Sequence, residues 1–300
     1  MLLILFMYAI TTLPLSKALL NQIQPFFLIS IRMIVAGILL LLVYGIMHKK
    51  SAVLPKKQIF LFIQVILYAL LIPYFLRYWG FQHANHPRAD LLYMSGPLIT
   101  YLLTALFDIE NMTPLKSISL LLGYCGLLLF FGNPLIAYGK DQFAMADLAI
   151  IVSVASFTYG WIVIRKLIVN HNYNPILING ICMLCAGISS LFLAAHYETF
   201  VITGNVFQCI ILLAALISIS NLCAHTMYAF LVKKYSLTFL QLCSLTTPVF
   251  IRFRQVLWGT TEFSLLLIIG SLIIGLSITL FYFAQRKQPS LGYLPKRAPF

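Results

Sequence analysis

The chain has 300 residues, of which 61% are apolar and only 9% are charged, and its mean hydropathy is +0.97. A soluble domain carries about 25% charged residues, so this chain lacks the side chains needed to cover a water-facing surface. The composition excludes a soluble globular protein and predicts an integral membrane protein. The formal net charge of +13 would suit nucleic-acid binding, but its distribution, described below, follows a membrane topology instead.

Ten apolar segments follow one another along the chain. Each is long enough to cross the hydrocarbon core, which takes about 20 helical residues. The sequence does not show the period-2 alternation of a membrane barrel, so the backbone is expected to satisfy its own hydrogen bonds within helices. The predicted fold class is an all-α integral membrane protein with spans at 1–21, 26–47, 58–80, 88–108, 115–133, 146–168, 174–196, 206–231, 237–258 and 263–285.

The first segment, "MLLILFMYAITTLPLSKA", has two interpretations. It could be a secretory signal peptide or the first membrane span. A signal peptide begins with basic residues and ends at a small-residue cleavage site, whereas this segment has no basic residue before its apolar run and only "SKA" after it. The sequence therefore favours a span.

Basic residues are concentrated in alternate connections between the spans. Thirteen of them lie in one set of connections and in the C-terminal tail, and the opposite set holds Arg77, Arg88 and Lys140. Cytoplasmic loops of membrane proteins carry such an excess of Lys and Arg. We therefore expect both termini in the cytoplasm, an even number of spans, and a basic tail at 286–300 that orients the protein and does not bind nucleic acid.

The six cysteines all fall inside predicted spans. The "CMLC" motif has C-x-x-C spacing, but no second pair and no set of histidine ligands stands near it. We interpret the cysteines as small buried apolar side chains and expect neither a metal nor a cofactor. They are Cys125, Cys182, Cys185, Cys209, Cys223 and Cys243.

A sequence pattern occurs twice, as "YMSGPLITYLLTALFDIE" and later as "CSLTTPVFIRFRQVLWGTTE". Pro97 and Glu110 in the first copy correspond to Pro248 and Glu262 in the second. Each copy precedes a glycine-bearing segment. Because each half contains an odd number of spans, the halves must be inverted relative to each other, an architecture typical of secondary transporters.

The two halves resemble the EamA-type transporters of the drug/metabolite transporter superfamily. The resemblance rests on Lys17, on "QPFFLISIRMIVAGILLLL" with Pro25 and Arg32, on "SGPLITYLLTALFDIENMTPLKSISLLLGYCGLLLFFG" and on "TTPVFIRFRQVLWGTTEFSLLLIIGSLIIGLSITLF". It covers nearly the whole chain and implies two five-helix repeats that carry a small solute. The expected division is 1–133 for the first repeat, 134–145 for a connecting loop and 146–285 for the second repeat.

The repeated motif also has a physical interpretation. Each proline removes a backbone hydrogen bond and bends its helix. Each glutamate precedes the next helix, whose positive N-terminus it can stabilise by about 0.3–1 kcal/mol, so we interpret both as helix-start residues in preference to transport groups. Gly123, Gly126, Gly270 and Gly275 are expected to allow close helix approach.

Five cations fall inside predicted spans without a deep carboxylate to balance them. A cation at a helix centre costs about 2.5–3.5 kcal/mol on insertion scales and usually faces a cavity. We expect these cations to attract an anionic group of the substrate. Arg77 and Arg254 also fit the alternative of extending to the interface, and Arg32 could instead bind helix-end carbonyls. The five cations are Lys17, Arg32, Arg77, Arg252 and Arg254.

Polar and aromatic residues suggest further substrate contacts. Ser218, Asn221, His225 and Tyr228 share one face of a regular helix, and a polar face inside lipid should meet a cavity or another helix. His225 is also a candidate for proton coupling, the alternative being a histidine bonded between helices. The remaining candidates are Gln241, on one stripe with Arg252, and the aromatic residues Tyr74, Tyr78, Tyr159 and Trp161, which could stack on a planar substrate or lie in the interfacial belt.

The sequence predicts a secondary transporter that moves a small anionic or zwitterionic metabolite, such as an amino acid, a carboxylate or a nucleotide-like compound, by alternating access between the halves. An exporter of amphipathic or cationic compounds is the alternative. A membrane-embedded enzyme is disfavoured because neither H-E-x-x-H nor G-x-S-x-G occurs in the sequence, and a channel is disfavoured by the inverted repeat. We expect the lipid bilayer and a small-molecule metabolite as partners, and the resemblance implies a bacterial inner membrane.

Overall fold

The computed structural model of the chain describes residues 15–16, 18–48, 56–84, 86–138, 144–198, 200–259 and 264–286, and these residues form helices joined by short connections. Residues 18–20 are helical and lead into the first long helix. The helices are α1 Pro25–His48, α2 Ile59–His83, α3 in two parts at His86–Tyr93 and Gly96–Leu106, α4 Pro114–Tyr138, α5 Met145–Val169, α6 Pro175–Tyr197, α7 Val206–Leu231, α8 in two parts at Leu237–Cys243 and Thr246–Leu257, and α9 Leu265–Arg286.

Seven helical spans among the described residues are long and apolar enough to cross a membrane. They are α1, α2, α3, α5, α6, α7 and α9, and each coincides with a predicted segment. The predicted ninth segment is divided into the two shorter helices of α8, and an apolar stretch at the start of α4 corresponds to the predicted fifth. The prediction of an all-helical membrane fold is confirmed.

Several helices begin at residues that cap their free backbone N–H groups. The side-chain oxygen of Asn174 accepts from the backbone N–H of Ile176 at 2.8 Å, and Pro175 then occupies the first turn of α6. Ser236 starts α8 by accepting from the N–H of Phe239 at 3.2 Å. Caps of this kind contribute about 1 kcal/mol each, so the sequence fixes these helix starts locally.

Helices α3 and α8 are both interrupted a few residues ahead of a proline. In α3 the turn falls at residues 94–95, before Pro97, and in α8 it falls at residues 244–245, before Pro248. Proline lacks a backbone N–H and is accommodated in the first turn of a helix. The paired prolines thus accompany an interruption of the helix in each span, where the sequence predicts a bend.

Helices α2 and α7 each contain a π-helical stretch. The stretches are Val65–Leu71 in α2 and Ile217–His225 in α7. These two helices correspond to the predicted third spans of the two halves, so the irregularity recurs at corresponding positions of the predicted repeats. Stretches with i→i+5 hydrogen bonds are rare and occur most often at functional sites.

Glycines allow two pairs of helices to pack closely. A β-carbon on Gly37 of α1 would lie 2.6 Å from the backbone nitrogen of Leu184 in α6, and one on Gly126 of α4 would lie 3.0 Å from the carbonyl oxygen of Gly270 in α9. A β-carbon on Gly123 would lie 2.7 Å from the Ser277 hydroxyl of α9. The prediction of close approach is correct for Gly123, Gly126 and Gly270, and the contact at Gly37 is a further one, not predicted from the sequence. The prediction is wrong for Gly275, which has no heavy atom of another element within 4 Å of that site.

Buried side chains form two main hydrophobic cores. The larger core is drawn mainly from α1, α2, α5, α6 and α7, and the smaller from α3, α4, α8 and α9. The prediction that the cysteines are buried holds for only some of them: Cys182, Cys209 and Cys243 are buried and Cys185 is partly buried, but Cys125 and Cys223 are exposed. In a membrane helix, an exposed cysteine is an apolar side chain that faces lipid.

Candidate functional site

Arg32 lies in the first half of α1, and its side chain is completely buried. Its Nε donates to Oδ1 of Asn221 at 3.0 Å, one terminal nitrogen donates to the Tyr78 hydroxyl at 2.8 Å, and the other donates to the Ser220 hydroxyl at 3.1 Å. The guanidinium carbon lies 5.0 Å from the centre of the Tyr74 ring. Helices α2 and α7 therefore fix the orientation of the guanidinium on three of its nitrogens.

The Asn221 side chain is itself held in one orientation. Its amide nitrogen lies 3.4 Å from the sulfur of Met33 and 3.8 Å from the sulfur of Met183. Thioether sulfurs are weak acceptors, so the amide nitrogen faces them and the carbonyl oxygen faces Arg32. Arg32 donates only to neutral groups here: within the described part of the chain, it forms no ion pair with an Asp or Glu.

Arg77 lies beside this cluster and is also buried. Its guanidinium carbon is 4.4 Å from the ring centre of Tyr74 and 5.3 Å from that of Tyr78, and one terminal nitrogen donates to the Tyr93 hydroxyl at 2.9 Å. An arginine that extends to the membrane interface would be exposed, so the structure favours the interior alternative. Two guanidinium groups therefore share tyrosine rings.

The π-helical stretch of α7 decides which of its polar residues meet Arg32. The predicted polar face assumed a regular helix, but the wider turn of a π-helix changes the angular spacing of side chains. Ser220 and Asn221 are buried against Arg32, whereas Ser218 is exposed. The structure therefore separates Ser218 from Asn221, with which the sequence pattern had grouped it.

Aromatic side chains form a second group next to the arginine cluster. Trp161 of α5 is buried, and its ring centre lies 4.8 Å from that of His225 and 4.3 Å from that of Tyr228. The buried indole N–H of Trp161 has no hydrogen-bond partner among the described residues. A buried donor without an acceptor is uncommon and calls for a physical explanation, such as a polar ligand or water.

Two other predicted residues lie in different surroundings. Tyr159 packs against Tyr68 and Phe107, with ring centres at 5.0 and 6.3 Å. Gln241 lies on α8, where its amide oxygen would be 3.1 Å from a β-carbon on Gly96. Tyr159 lies on α5 and Gln241 on α8. Neither is among the residues that accept a hydrogen bond from Arg32.

Of four further predicted residues, two lie outside the described part of the chain and two lie on α8. Lys17 and Glu262 lie outside the described residues. Arg252 is partly buried on α8, and the nearby Arg254 lies 6.0 Å from the ring centre of Trp258. Arg252 therefore remains a predicted substrate contact only.

Glu110 caps a different helix from the one predicted. Its carboxylate accepts from the backbone N–H of Thr238, in the first turn of α8, at 3.3 Å. It also lies 4.0 Å from a terminal nitrogen of Arg165 on α5. The predicted partner was the start of the helix that follows Glu110 in sequence, whereas the observed partners belong to the second half of the chain.

Three contributing residues were not identified from sequence. Ser220 and Tyr93 bind the two arginines, and neither differs in type from many other residues of the spans. Glu198 accepts from the backbone N–H groups of Phe26 and Phe27, both at 2.8 Å, and so caps α1 from across the chain. As one of only seven acidic residues, Glu198 was the one that the sequence could have singled out.

The described residues contain no cluster of three or more His, Cys, Asp or Glu side chains that could hold a metal ion. The site instead offers two guanidinium groups, tyrosine hydroxyls and aromatic rings. Such groups can bind a carboxylate by charge-assisted hydrogen bonds and a planar or cationic group by contact with aromatic faces.

Comparison with known proteins adds sequence relatives. Curated S-adenosylmethionine/S-adenosylhomocysteine transporters of Chlamydia muridarum and Chlamydia trachomatis serovar L2 are 28% and 27% identical to this chain over 271 residues. The alignments cover 87% of this chain and 84% and 82% of the two relatives.

The fold is also similar to that of a solved crystal structure. The two superpose with a TM-score of 0.75 at 17% identity, covering 95% of this chain and 96% of the other. The model of the EamA-like transporter family matches residues 1–132 and 144–283, which is the duplicated arrangement of this family. The chain is therefore an integral multi-pass membrane protein and a transporter, not an enzyme, and it belongs to the EamA-like transporter family.

Proposed function

We propose that this protein carries a small zwitterionic metabolite with a free carboxylate and a planar ring, of the kind represented by S-adenosylmethionine and S-adenosylhomocysteine. The relatives named above are transporters of these two compounds. Both compounds contain an amino-acid carboxylate and an adenine ring. The proposal narrows the anionic or zwitterionic class expected from sequence to a carboxylate-bearing zwitterion.

The buried guanidinium of Arg32 is the observation that carries the proposal. A charge-assisted hydrogen bond between a guanidinium and a carboxylate is about twice as strong as a neutral one, and it is stronger still where water is excluded. Arg32 donates to Tyr78, Ser220 and Asn221 through one N–H on each nitrogen. Each terminal nitrogen carries a second N–H, so the guanidinium can bind a carboxylate while these contacts persist.

The aromatic group suits the other end of such a substrate. The unpartnered N–H of Trp161 could donate to a ring nitrogen of adenine, and the faces of Trp161 and Tyr228 could contact the ring or a positive sulfonium. Substrate contacts from Lys17, Tyr159, His225, Gln241 and Arg252 are part of the same proposal, as predicted from the sequence, whereas the exposed Ser218 is left out of it.

The proposed membrane arrangement is ten spans in two inverted five-helix repeats. The repeats are 1–133 and 146–285, joined by a loop at 134–145 and followed by the tail at 286–300. The bias of basic residues supports cytoplasmic termini, and the bacterial relatives support an inner membrane. The recurring π-helices and the paired helix breaks support the internal repeat.

Counterflow in proteoliposomes tests the proposal. Vesicles loaded with unlabelled S-adenosylhomocysteine should accumulate external labelled S-adenosylmethionine transiently above equilibrium, because a carrier exchanges one substrate for another. Vesicles without protein and vesicles without internal substrate provide the controls. Absence of counterflow with both compounds, from protein that remains folded and inserted, would contradict the proposed substrate class.

Export of amphipathic or cationic compounds is the second candidate. The aromatic rings around Trp161 favour it, because such rings also attract organic cations. A thermal-shift screen distinguishes the two, since a ligand that binds the folded state stabilises it by about 2.7 kcal/mol at a hundred times its dissociation constant. We expect zwitterions and carboxylates to give the shifts. Shifts confined to hydrophobic amines would support the second candidate.

A further inference from the structure

We propose that the two bodies that move during transport are not the two sequence repeats, and that the ion pairs Arg88–Asp147 and Glu110–Arg165 close the outer and cytoplasmic ends of the interface between these bodies. The first body comprises α1, α2, α5, α6 and α7, and the second comprises α3, α4, α8 and α9. Each body therefore contains helices of both repeats. The inference rests on the proposed alternating access but on no particular substrate.

The two larger hydrophobic cores define the bodies, and a third, small cluster of Phe81, Ala89 and Ile150 crosses between them, from α2 and α5 to α3. The larger core belongs to the first body apart from a few residues before α1 and the first turn of α8, and the smaller core lies within the second body. Close helix packing also joins the repeats inside each body, at Gly37 between α1 and α6 and at Gly126 between α4 and α9. Because packed interiors tolerate little deformation, moving the repeats apart would disrupt both cores.

The interface between the bodies is formed largely by α3 and α5 and contains polar contacts at three depths. Arg88 and Asp147 form an ion pair of 2.8 Å near the helix starts. The hydroxyls of Thr100 and Thr158 lie 3.2 Å apart in the middle. Glu110 and Arg165 approach to 4.0 Å at the other end. When an interface opens, water can replace the lost partner of a polar group. Tightly packed apolar side chains have no such replacement and lose their packing contacts.

The contact between Glu110 and Arg165 has features expected of an ion pair that breaks when the cytoplasmic end opens. Its carboxylate is buried, and its Oε2 has no hydrogen-bond partner among the described residues. The other oxygen accepts from Thr238 within the second body, while Arg165 approaches from the first. A buried carboxylate that is incompletely bonded is costly to the folded state, and access of water to this end would relieve that cost. At the opposite end Asp147 is fully engaged, because it also accepts from the backbone N–H of Ala144 at 2.8 Å.

Sidedness of thiol labelling tests the proposal. The reporter is Thr158→Cys, in a variant whose six native cysteines are replaced, because Thr158 is buried at the middle of the interface. A membrane-impermeant maleimide is applied to right-side-out and to inverted vesicles. Glu110→Gln should raise the labelling rate from the cytoplasmic side and lower it from the outside, and Asp147→Asn should do the reverse.

A matched control uses a third capping carboxylate, that of the partly buried Glu198. Glu198→Gln alters a carboxylate that joins the two repeats at α1 but lies within the first body, so it should leave labelling from both sides unchanged. The exchange of Glu110→Arg with Arg165→Glu should restore the starting pattern. This recovery would separate loss of the ion pair from damage to the fold.

The proposal is overturned if Glu110→Gln and Asp147→Asn act on the same side, if neither changes labelling, or if Glu198→Gln behaves like Glu110→Gln. No substrate is needed for the labelling. A failed counterflow experiment would therefore contradict the proposed substrate, whereas the labelling experiment would still test the proposed moving bodies.

Discussion

Arg32 combines a high cost of burial with a proposed role, binding of a carboxylate, that no neutral residue can fill. A guanidinium placed in the hydrocarbon region is expensive, and here the hydroxyl and amide groups of Tyr78, Ser220 and Asn221 solvate it in place of water. Loss of an arginine with only a structural role would act through the stability of the fold, because Tyr78, Ser220 and Asn221 would be left unpaired. Loss of a substrate-binding arginine would lower uptake by protein that is still folded.

We predict that Arg32→Ala reaches the membrane but loses substrate uptake. A hydrogen bond to a charged group contributes about 1.5–3 kcal/mol, which corresponds to a loss of roughly 10- to 150-fold in affinity. The measurement is the concentration dependence of uptake in proteoliposomes. Arg286→Ala is the control, because it removes an equal charge from an exposed position at the end of α9 and should leave uptake unchanged. Wild-type kinetics in Arg32→Ala would remove this residue from the site.

Some residues of the site could be predicted from the sequence and others could not. Arg32 was identifiable because a charge inside an apolar run is conspicuous, and its partner Asn221 was identified as a polar residue in a span. Ser220 was not identified and Ser218 was chosen instead, because the local pattern assumed a regular helix. The π-helix that shifts the positions packs against α1, which is distant in sequence, so no local pattern reveals it.

At the scale of helices, α5 and the π-helical part of α2 depend on each other. The hydroxyl of Ser156 donates to the carbonyl oxygen of Tyr68 at 3.0 Å, which satisfies a backbone group inside the π-helix. Gly160 of the same helix brings its backbone against that of Ala69. Helix α5 therefore supports the irregular stretch that precedes Tyr74 and Tyr78.

We predict that Gly160→Ala strongly destabilises the protein, because a β-carbon there would collide with the backbone of Ala69. Overpacking of this kind costs about 1–3 kcal/mol or more. The measurement is the unfolding temperature in detergent. Gly275→Ala is the matched control: it is also a helical glycine, but a β-carbon there meets nothing within 4 Å, so an unchanged or slightly raised unfolding temperature is expected. Equal effects of the two substitutions would contradict the close contact.

The helical elements were largely predictable, and the reason is physical. A lipid environment requires long apolar runs, so the spans appear directly in the sequence, and the breaks of α3 and α8 fall beside prolines that were already noted. The caps by Glu110 and Glu198 were not predictable because each carboxylate meets a helix more than 120 residues away. Their partners are set by how the whole molecule packs.

At the scale of the whole molecule, the two duplicated repeats need not be the two bodies that move during transport. The two repeats are a feature of the sequence, and the family match at 1–132 and 144–283 reflects them. The hydrophobic cores combine helices of both repeats. Alternating access between the two halves, as expected from the sequence, is therefore replaced in our proposal by movement of two composite bodies.

We predict that a disulfide between the repeats, but inside one body, is tolerated. The hydroxyls of Thr104 and Thr238 lie 3.3 Å apart within the second body, so Thr104→Cys with Thr238→Cys should form a disulfide in a variant free of native cysteines. Counterflow should be the same in the oxidised and the reduced protein. Arrest on oxidation with recovery on reduction would show that the repeats themselves move apart at this point.

The proposed contact between Arg32 and the substrate carboxylate is tested most directly by calorimetric binding of S-adenosylhomocysteine and of its decarboxylated analogue to wild-type protein and to Arg32→Ala. Wild-type protein should bind the carboxylate-bearing compound at least about tenfold more tightly, as expected for one charge-assisted hydrogen bond. This preference should disappear in Arg32→Ala. A preference of equal size in both proteins, or none in the wild type, would contradict the assignment of Arg32 to the substrate carboxylate.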